Sequence, residues 1–188
     1  GGDKEEARLA EEIKLADQKA SILEEMAVIA EADSLTAATS ATLNGTLIQN
    51  GMDINIAALN LPAGSSFTQT AGTLTSSGAI TIDGNITWEG GQITAASVTN
   101  NPTGVITVRG PNTNATIATL TSPSLNNQGT LIKNKGSGTL LLTGDLSNSG
   151  TVDIQVGNIT ANNYTQTAGA TTLSGWQLEA NTIDINSG

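Results

Sequence analysis

The sequence predicts a mainly β chain: a parallel β-helix of about seven rungs, with an amphipathic α-helix at its N-terminus. Three observations carry this. First, Leu125, Asn127, Gly129, Thr130 and Leu131 recur as Leu146, Asn148, Gly150, Thr151 and Val152, so L-x-N-x-G-T-[LV] repeats at an offset of 21 residues. A period near 20 residues is too short for a globular domain. It suits one solenoid coil, which buries its apolar side only when a neighbour stacks on it. Second, aromatic residues are 2% and charged residues 13% of the chain, while Gly, Asn, Ser and Thr are abundant. That composition fits short strands joined by tight turns, and the Ile, Leu and Val content is too high for a linker. Third, the composition changes near Asp33: residues 1–33 hold 10 of the 17 acidic residues and 4 of the 7 basic ones. The chain therefore divides into 1–35 and 36–188.

From Lys4 to Ala32 there is no Gly or Pro, and Ala, Glu, Leu, Ile and Lys dominate, which is helix composition. Asp3 is placed to cap the start, with Glu6 three residues on. Ile13, Ala16, Ala20, Leu23 and Ala27 form one stripe at helical spacing, and Leu15, Ile22, Met26 and Ile29 a second beside it. The candidate contact face is thus Ile13, Leu15, Ile22, Leu23, Met26 and Ile29. It serves either as a cap on an open solenoid end or as a latch on another subunit.

Along the remainder, Thr36 to Thr42 reads as a small-residue linker and Leu43 to Ile56 as the first strand-turn-strand piece. Asn44-Gly45 and Asn50-Gly51 are turn signals. FTQTAG at Phe67 to Gly72 returns as YTQTAG at Tyr164 to Gly169, so the two copies are expected at equivalent corners of different rungs. Between them, Ala79 to Ile82, Asn85 to Trp88, Gln92 to Ala95 and Val105 to Val108 alternate as strands do. Gly110 to Ser124 fits the repeat less well and reads as a rung with an enlarged loop.

The chemistry-bearing residues are sparse. With no Cys and no His, thiolate metal sites, a Cys nucleophile and the commonest general base are excluded. A net charge of −10 argues against nucleic acid, and no apolar run reaches the ~20 residues that span a bilayer. No catalytic residue, metal site or cofactor is expected. The solenoid's acids, Asp53, Asp83, Glu89, Asp145, Asp153, Glu179 and Asp184, are scattered, though Asp145 and Asp153 could approach across a corner. Arg109, Lys133 and Lys135 are its only basic residues, and Lys133 and Lys135 read as a solvated corner. Exposed Asn and Thr are expected to form ladders along the axis. Trp88 and Trp176 are the candidate contacts for a glycan, through ring stacking.

The run NNQGTLIKNKGSGTLLLTGDLSNSGTVDIQVGNI, with YTQTAGATTLSG after it and NITWEGGQI before it, resembles the degenerate repeats of large bacterial surface proteins. These include filamentous-haemagglutinin-like adhesins and autotransporter passenger domains. The resemblance covers roughly residues 43–188. It implies a right-handed parallel β-helix, secretion to the cell surface, and a role as stalk, adhesin or fibre. The acidic N-terminal segment departs from that pattern. The expectation is a non-enzymatic extracellular structural protein that associates with itself end to end. The alternatives are an adhesin segment binding a surface glycan and, third, a polysaccharide-processing β-helix enzyme.

Overall fold

The computed structural model describes residues 28–29, 34–113 and 115–186. Every strand pairs in parallel with strands of the neighbouring coils, 18 to 27 residues away. Three faces result. Face A is an eight-stranded sheet, one strand per coil: Val28–Ile29, Thr46–Asn50, Ser66–Ala71, Asn85–Trp88, Val105–Val108, Thr130–Lys133, Thr151–Ile154 and Ala170–Leu173. The other two faces belong to one 14-stranded sheet, because Thr73–Ile82 and Gly91–Asn100 each run along face B and turn the corner into face C. Face B also carries Ser34–Ala37, Asp53–Ile56, Thr116–Thr121, Thr139–Leu142, Asn158–Thr160 and Leu178–Glu179. Face C also carries Ala41–Thr42, Leu59–Leu61, Ser124–Asn127, Asp145–Asn148, Asn163–Gln166 and Thr182–Ile185.

These strands make eight coils, numbered here from the N-terminal one, where the sequence suggests about seven. The added coil comes from residues that read as helix and linker. Val28–Ile29 pairs with Leu47 and Ile48, and Ser34–Ala37 with Asp53–Ile56. Ile29, a member of the expected helical face, therefore stands in a strand: its β-branched neighbourhood finds an open ladder on Ile48. Ile13, Leu15, Ile22, Leu23 and Met26 lie outside the described residues.

Within each coil, alternate residues point inward, which gives burial patterns such as that of Asp53–Ile56. Parallel register then stacks equivalent residues into columns. On face A, Leu47, Phe67, Ile86, Ile106, Leu131 and Val152 form one buried column. On face C, Leu59, Ile80, Val98, Leu125, Leu146 and Tyr164 form another. The core fills the lumen. The void between Trp88, Ile93, Leu120 and Leu140 is about 20 Å³, little more than one water.

The repeat L-x-N-x-G-T-[LV] now has a physical reading. Its Leu is the inner residue of face C, and its closing Leu or Val is the inner residue of face A. Its Asn, at the end of the face C strand, is buried and joins a ladder. Asn100 Nδ2 donates to Asn127 Oδ1 at 2.8 Å, and Asn127 Nδ2 to Asn148 Oδ1 at 2.8 Å. The same amides also donate to the main chain where the coil after next begins: Asn100 to Thr130 O at 3.1 Å and Asn127 to Thr151 O at 2.9 Å. The ladder ends at Tyr164, whose hydroxyl accepts from Asn148 Nδ2 at 3.3 Å and donates to Gln166 Oε1 at 3.0 Å. This ladder lies inside the solenoid; exposed Asn and Thr also bond from coil to coil as the sequence suggested, Asn181 Nδ2 donating to Asn162 Oδ1 at 3.0 Å and Thr182 Oγ1 to Asn163 Oδ1 at 2.7 Å. The motif's Gly packs against the coil below: a Cβ on Gly150 would stand 2.1 Å from Gly129 O.

The corner between faces A and B is built the same way. A polar side chain at the inner end of the face A strand donates to a turn carbonyl two or three residues on. Gln49 Nε2 reaches Met52 O at 2.6 Å, Gln69 Nε2 reaches Gly72 O at 3.0 Å, and Trp88 Nε1 reaches Gly90 O at 3.0 Å. A turn carbonyl turned into the lumen has no water, so an inward donor is what lets the chain bend there. This also explains the TQTAG echo. In both copies an inner aromatic is followed by an inner Gln that caps its own corner, Gln69 on Gly72 and Gln166 on Gly169 O at 3.3 Å. They do not occupy equivalent corners, however. Phe67 begins the turn from face A to face B, and Tyr164 the turn from face C to face A. The local chemistry of a corner is shared, so the motif does not report which corner it makes.

Candidate functional site

Three acidic side chains, Asp53, Asp83 and Asp145, brace the turn of the next coil. Asp53 Oδ1 accepts from the Thr73 amide at 3.0 Å. Asp83 accepts from Asn101 Nδ2 at 3.0 Å and from Thr103 Oγ1. Asp145 Oδ1 accepts from Asn162 and Asn163 Nδ2, both at 2.8 Å, and these amides hold its carboxyl below the usual range. In each case the donor lies one coil further along, so the carboxylate ties successive turns together. Asp153 takes a 2.6 Å bond from Gln155 Nε2 on the outside of face A, while Asp145 opens a face C strand. The two are not brought together. Among the described residues no three His, Cys, Asp or Glu side chains gather as a metal site, and no helix is long and apolar enough to cross a membrane.

Trp88 is 3% exposed and has no ring face open to a sugar; its indole is a corner cap. Trp176, half-buried, packs against the core at the last described corner between faces A and B.

Lys133 does not stand at the solvated corner that its sequence context suggests. Its side chain is 0% exposed and occupies the inner column between Val108 and Ile154. It is the corner cap of coil 6: Nζ donates to Lys135 O at 3.1 Å and Gly136 O at 2.6 Å. Burial lowers its pKa to about 8. The alternation Leu131 in, Ile132 out, Lys133 in is present in the sequence, as is the inner Ile154 at the repeat offset. Lysine's general preference for solvent masks both signals.

Among the described residues, three of the four exposed large apolar side chains lie in coil 8, Ile48 on face A being the fourth. Leu173 continues the column of Lys133 and Ile154, Ile183 that of Leu146 and Tyr164, and Ile185 that of Asn148 and Gln166. These positions are buried in the preceding coils, yet Leu173 is 49%, Ile183 54% and Ile185 59% exposed. Among the described residues no coil stacks on them. Ala170–Leu173 and Thr182–Ile185 each pair with a strand on one side only, which leaves two rows of unpaired backbone groups beside an apolar cross-section.

Fold and site together define a three-faced parallel β-solenoid with polar-capped corners. Comparison with protein-family models, with curated proteins and with solved structures gave no match to the chain.

Proposed function

We propose that this chain is a structural solenoid that associates end to end with copies of itself in an extracellular or cell-surface fibre. The observation that carries the reading is the uncovered inner row of coil 8. Leu173, Ile183 and Ile185 continue buried columns, and among the described residues no coil covers them. The occupant proposed is coil 1 of a second copy. In register, Ile183 would meet Ala41, a small residue in the same face C column, and Ala180 would meet the face B residue Leu35. Leu173, Ile183 and Ile185 are already about half buried, so covering them gives roughly 2–5 kcal/mol of gross apolar stabilisation. Association itself costs about 4–15 kcal/mol, so ladder bonds between strands must supply the rest. The contact is head-to-tail and does not close, so it propagates. In this reading residues 1–27 act at the joint, as cap or latch. The partner is the chain itself, the handedness is that of right-handed crossovers, and no catalytic step is involved.

Light scattering against concentration tests this. The parent chain should grow in mass with concentration, and a chain carrying Ile183→Lys and Ile185→Lys should remain a 19.0 kDa monomer. Equal growth of the two chains would refute the role of coil 8.

A further inference from the structure

All three cations of residues 34–186 meet at one corner. Arg109 begins the turn from face A to face B in coil 5, Lys133 ends the face A strand of coil 6, and Lys135 lies in the turn after it. Elsewhere the same residues carry only acidic charge. The corner is unusual in shape as well. In coils 3 and 4 the turn is tight, from Ala71 to Thr73 and from Trp88 to Gly91. In coils 5 and 6 it is long, from Val108 to Thr116 and from Lys133 to Thr139. The long turns overhang the short ones, and a groove of about 470 Å³ opens between them, lined by Thr70, Glu89, Arg109, Pro111, Asn112 and Lys135. That volume is within the range of small-molecule sites.

The groove is preformed. Arg109 N is held by Trp88 O at 2.7 Å and Asn134 N by Val108 O at 3.3 Å. Ser137 Oγ ties the coil 6 turn to Thr113 O at 3.0 Å, and Gly136 packs directly on Gly110. Arg109 and Lys135 are exposed, and among the described residues neither side chain donates a hydrogen bond. The buried Lys133 ammonium lies beneath, bonded to the carbonyl of Lys135 itself.

We propose that this groove binds a sugar acid, a polyhydroxylated ligand carrying one carboxylate. The Arg109 fork and the Lys135 ammonium suit a carboxylate. Glu89 in the same groove opposes a dianion or a densely charged polyanion, but accepts hydrogen bonds from hydroxyl groups. The Asn112 amide and the Thr70 hydroxyl extend that hydroxyl-reading surface, although Thr70 already donates to Asn50 Oδ1 at 2.8 Å and so serves as an acceptor. Four coils at a spacing of ~4.8 Å span about 14 Å, room for one or two pyranose rings. The site differs from the tryptophan contacts expected from sequence and is independent of end-to-end association.

The test is an NMR titration of the ¹⁵N-labelled full chain with methyl β-glucuronide, with 3′-sialyllactose and with neutral lactose. The backbone amides of 109–112 and 135 and the Arg109 Nε–H should shift with one or both acids and not with lactose; which acid binds identifies the source of the carboxylate. Arg109→Ala and Lys135→Ala, on exposed turns, should each weaken binding at least about tenfold. Lys135→Arg should retain it, and Glu89→Gln should admit sulfated sugars. Shifts mapping elsewhere, equal response to lactose, no response to either acid, or binding unchanged in Arg109→Ala would overturn the proposal. So would shifts of the same amides on adding a peptide of residues 1–33, with no response to either sugar acid, which would make the groove a receptor for acidic peptide.

Discussion

Replacing Lys133 with Gln should stabilise the protein at neutral pH, and the gain should vanish in alkali. The Lys133 ammonium is buried with two carbonyl acceptors and no carboxylate partner. Its pKa falls from 10.5 to about 8. Below pH 8 the group is charged in both folded and unfolded chains, and the cost of burying it is present in full. Between about 8 and 10.5 the folded protein gives up this proton first. The unfolded chain then holds more protons, so stability rises with pH. At 1.36 kcal/mol per pKa unit the rise is about 3 kcal/mol. Gln is the natural replacement because Gln49 and Gln69 cap the same corner three residues on, as Lys133 does on Gly136. It loses roughly one methylene of packing, about 0.8 kcal/mol. The Gln Oε1 would also lack a donor, as Gln49 and Gln69 Oε1 do, at a cost of about 1 kcal/mol, so Lys133→Gln should gain about 1 kcal/mol at pH 7 and lose about 2 kcal/mol near pH 10.5. Urea denaturation of both chains at several pH values reads this directly, and groups common to both cancel in the difference. A difference that stays constant from pH 7 to 10.5 would refute the buried ammonium. Lys133→Met is the companion variant: it leaves the Lys135 and Gly136 carbonyls without a donor and should be less stable than Lys133→Gln by about 1–3 kcal/mol.

Other substitutions address the remaining columns. Asn127→Leu removes the centre of the buried ladder: Asn100 Nδ2 keeps only Thr130 O, Asn148 Oδ1 keeps only the Gly150 amide, and Thr151 O loses its side-chain donor; a loss of about 2–4 kcal/mol in chemical denaturation is expected, and a loss under 1 kcal/mol would mean that the ladder is ornamental. Gly150→Ala drives a Cβ into Gly129 O and the Gln128 carbonyl, so coils 6 and 7 must separate. Its melting temperature should fall steeply. Gly45 precedes the face A strand in the same way, but a Cβ there would meet no atom of the described residues within 4 Å, so Gly45→Ala should change stability by no more than about 0.5 kcal/mol. Equal effects at the two glycines would contradict the stacked column.

The solenoid was legible because its signal is periodic. Leu125, Asn127, Gly129 and Thr130 recur at the interval of one coil, and each position does the same physical job twice. What periodicity does not carry is sidedness. TQTAG marks a capped corner, yet one copy turns from face A and the other from face C, because both turns meet the same need for an inward amide. Polar identity also misleads where parity is right. Lys133 and the buried Asn ladder occupy inner positions that hydrophobicity alone assigns to solvent, and backbone carbonyls at the corners are what reverse that assignment. The ring of Trp88 suggests stacking on a sugar, but its Nε1 is what the corner uses. The groove at Arg109 and Lys135 was not visible in the sequence, since it depends on two long turns stacked over two short ones.

Negative-stain electron microscopy of the purified chain, across a concentration series, tests the central claim most directly. Eight coils at ~4.8 Å give a subunit about 38 Å long. Unbranched filaments with an axial repeat near that length, absent for the chain carrying Ile183→Lys and Ile185→Lys, are the expected result. Single particles of one length at every concentration would contradict end-to-end assembly and leave coil 8 without the partner proposed for it.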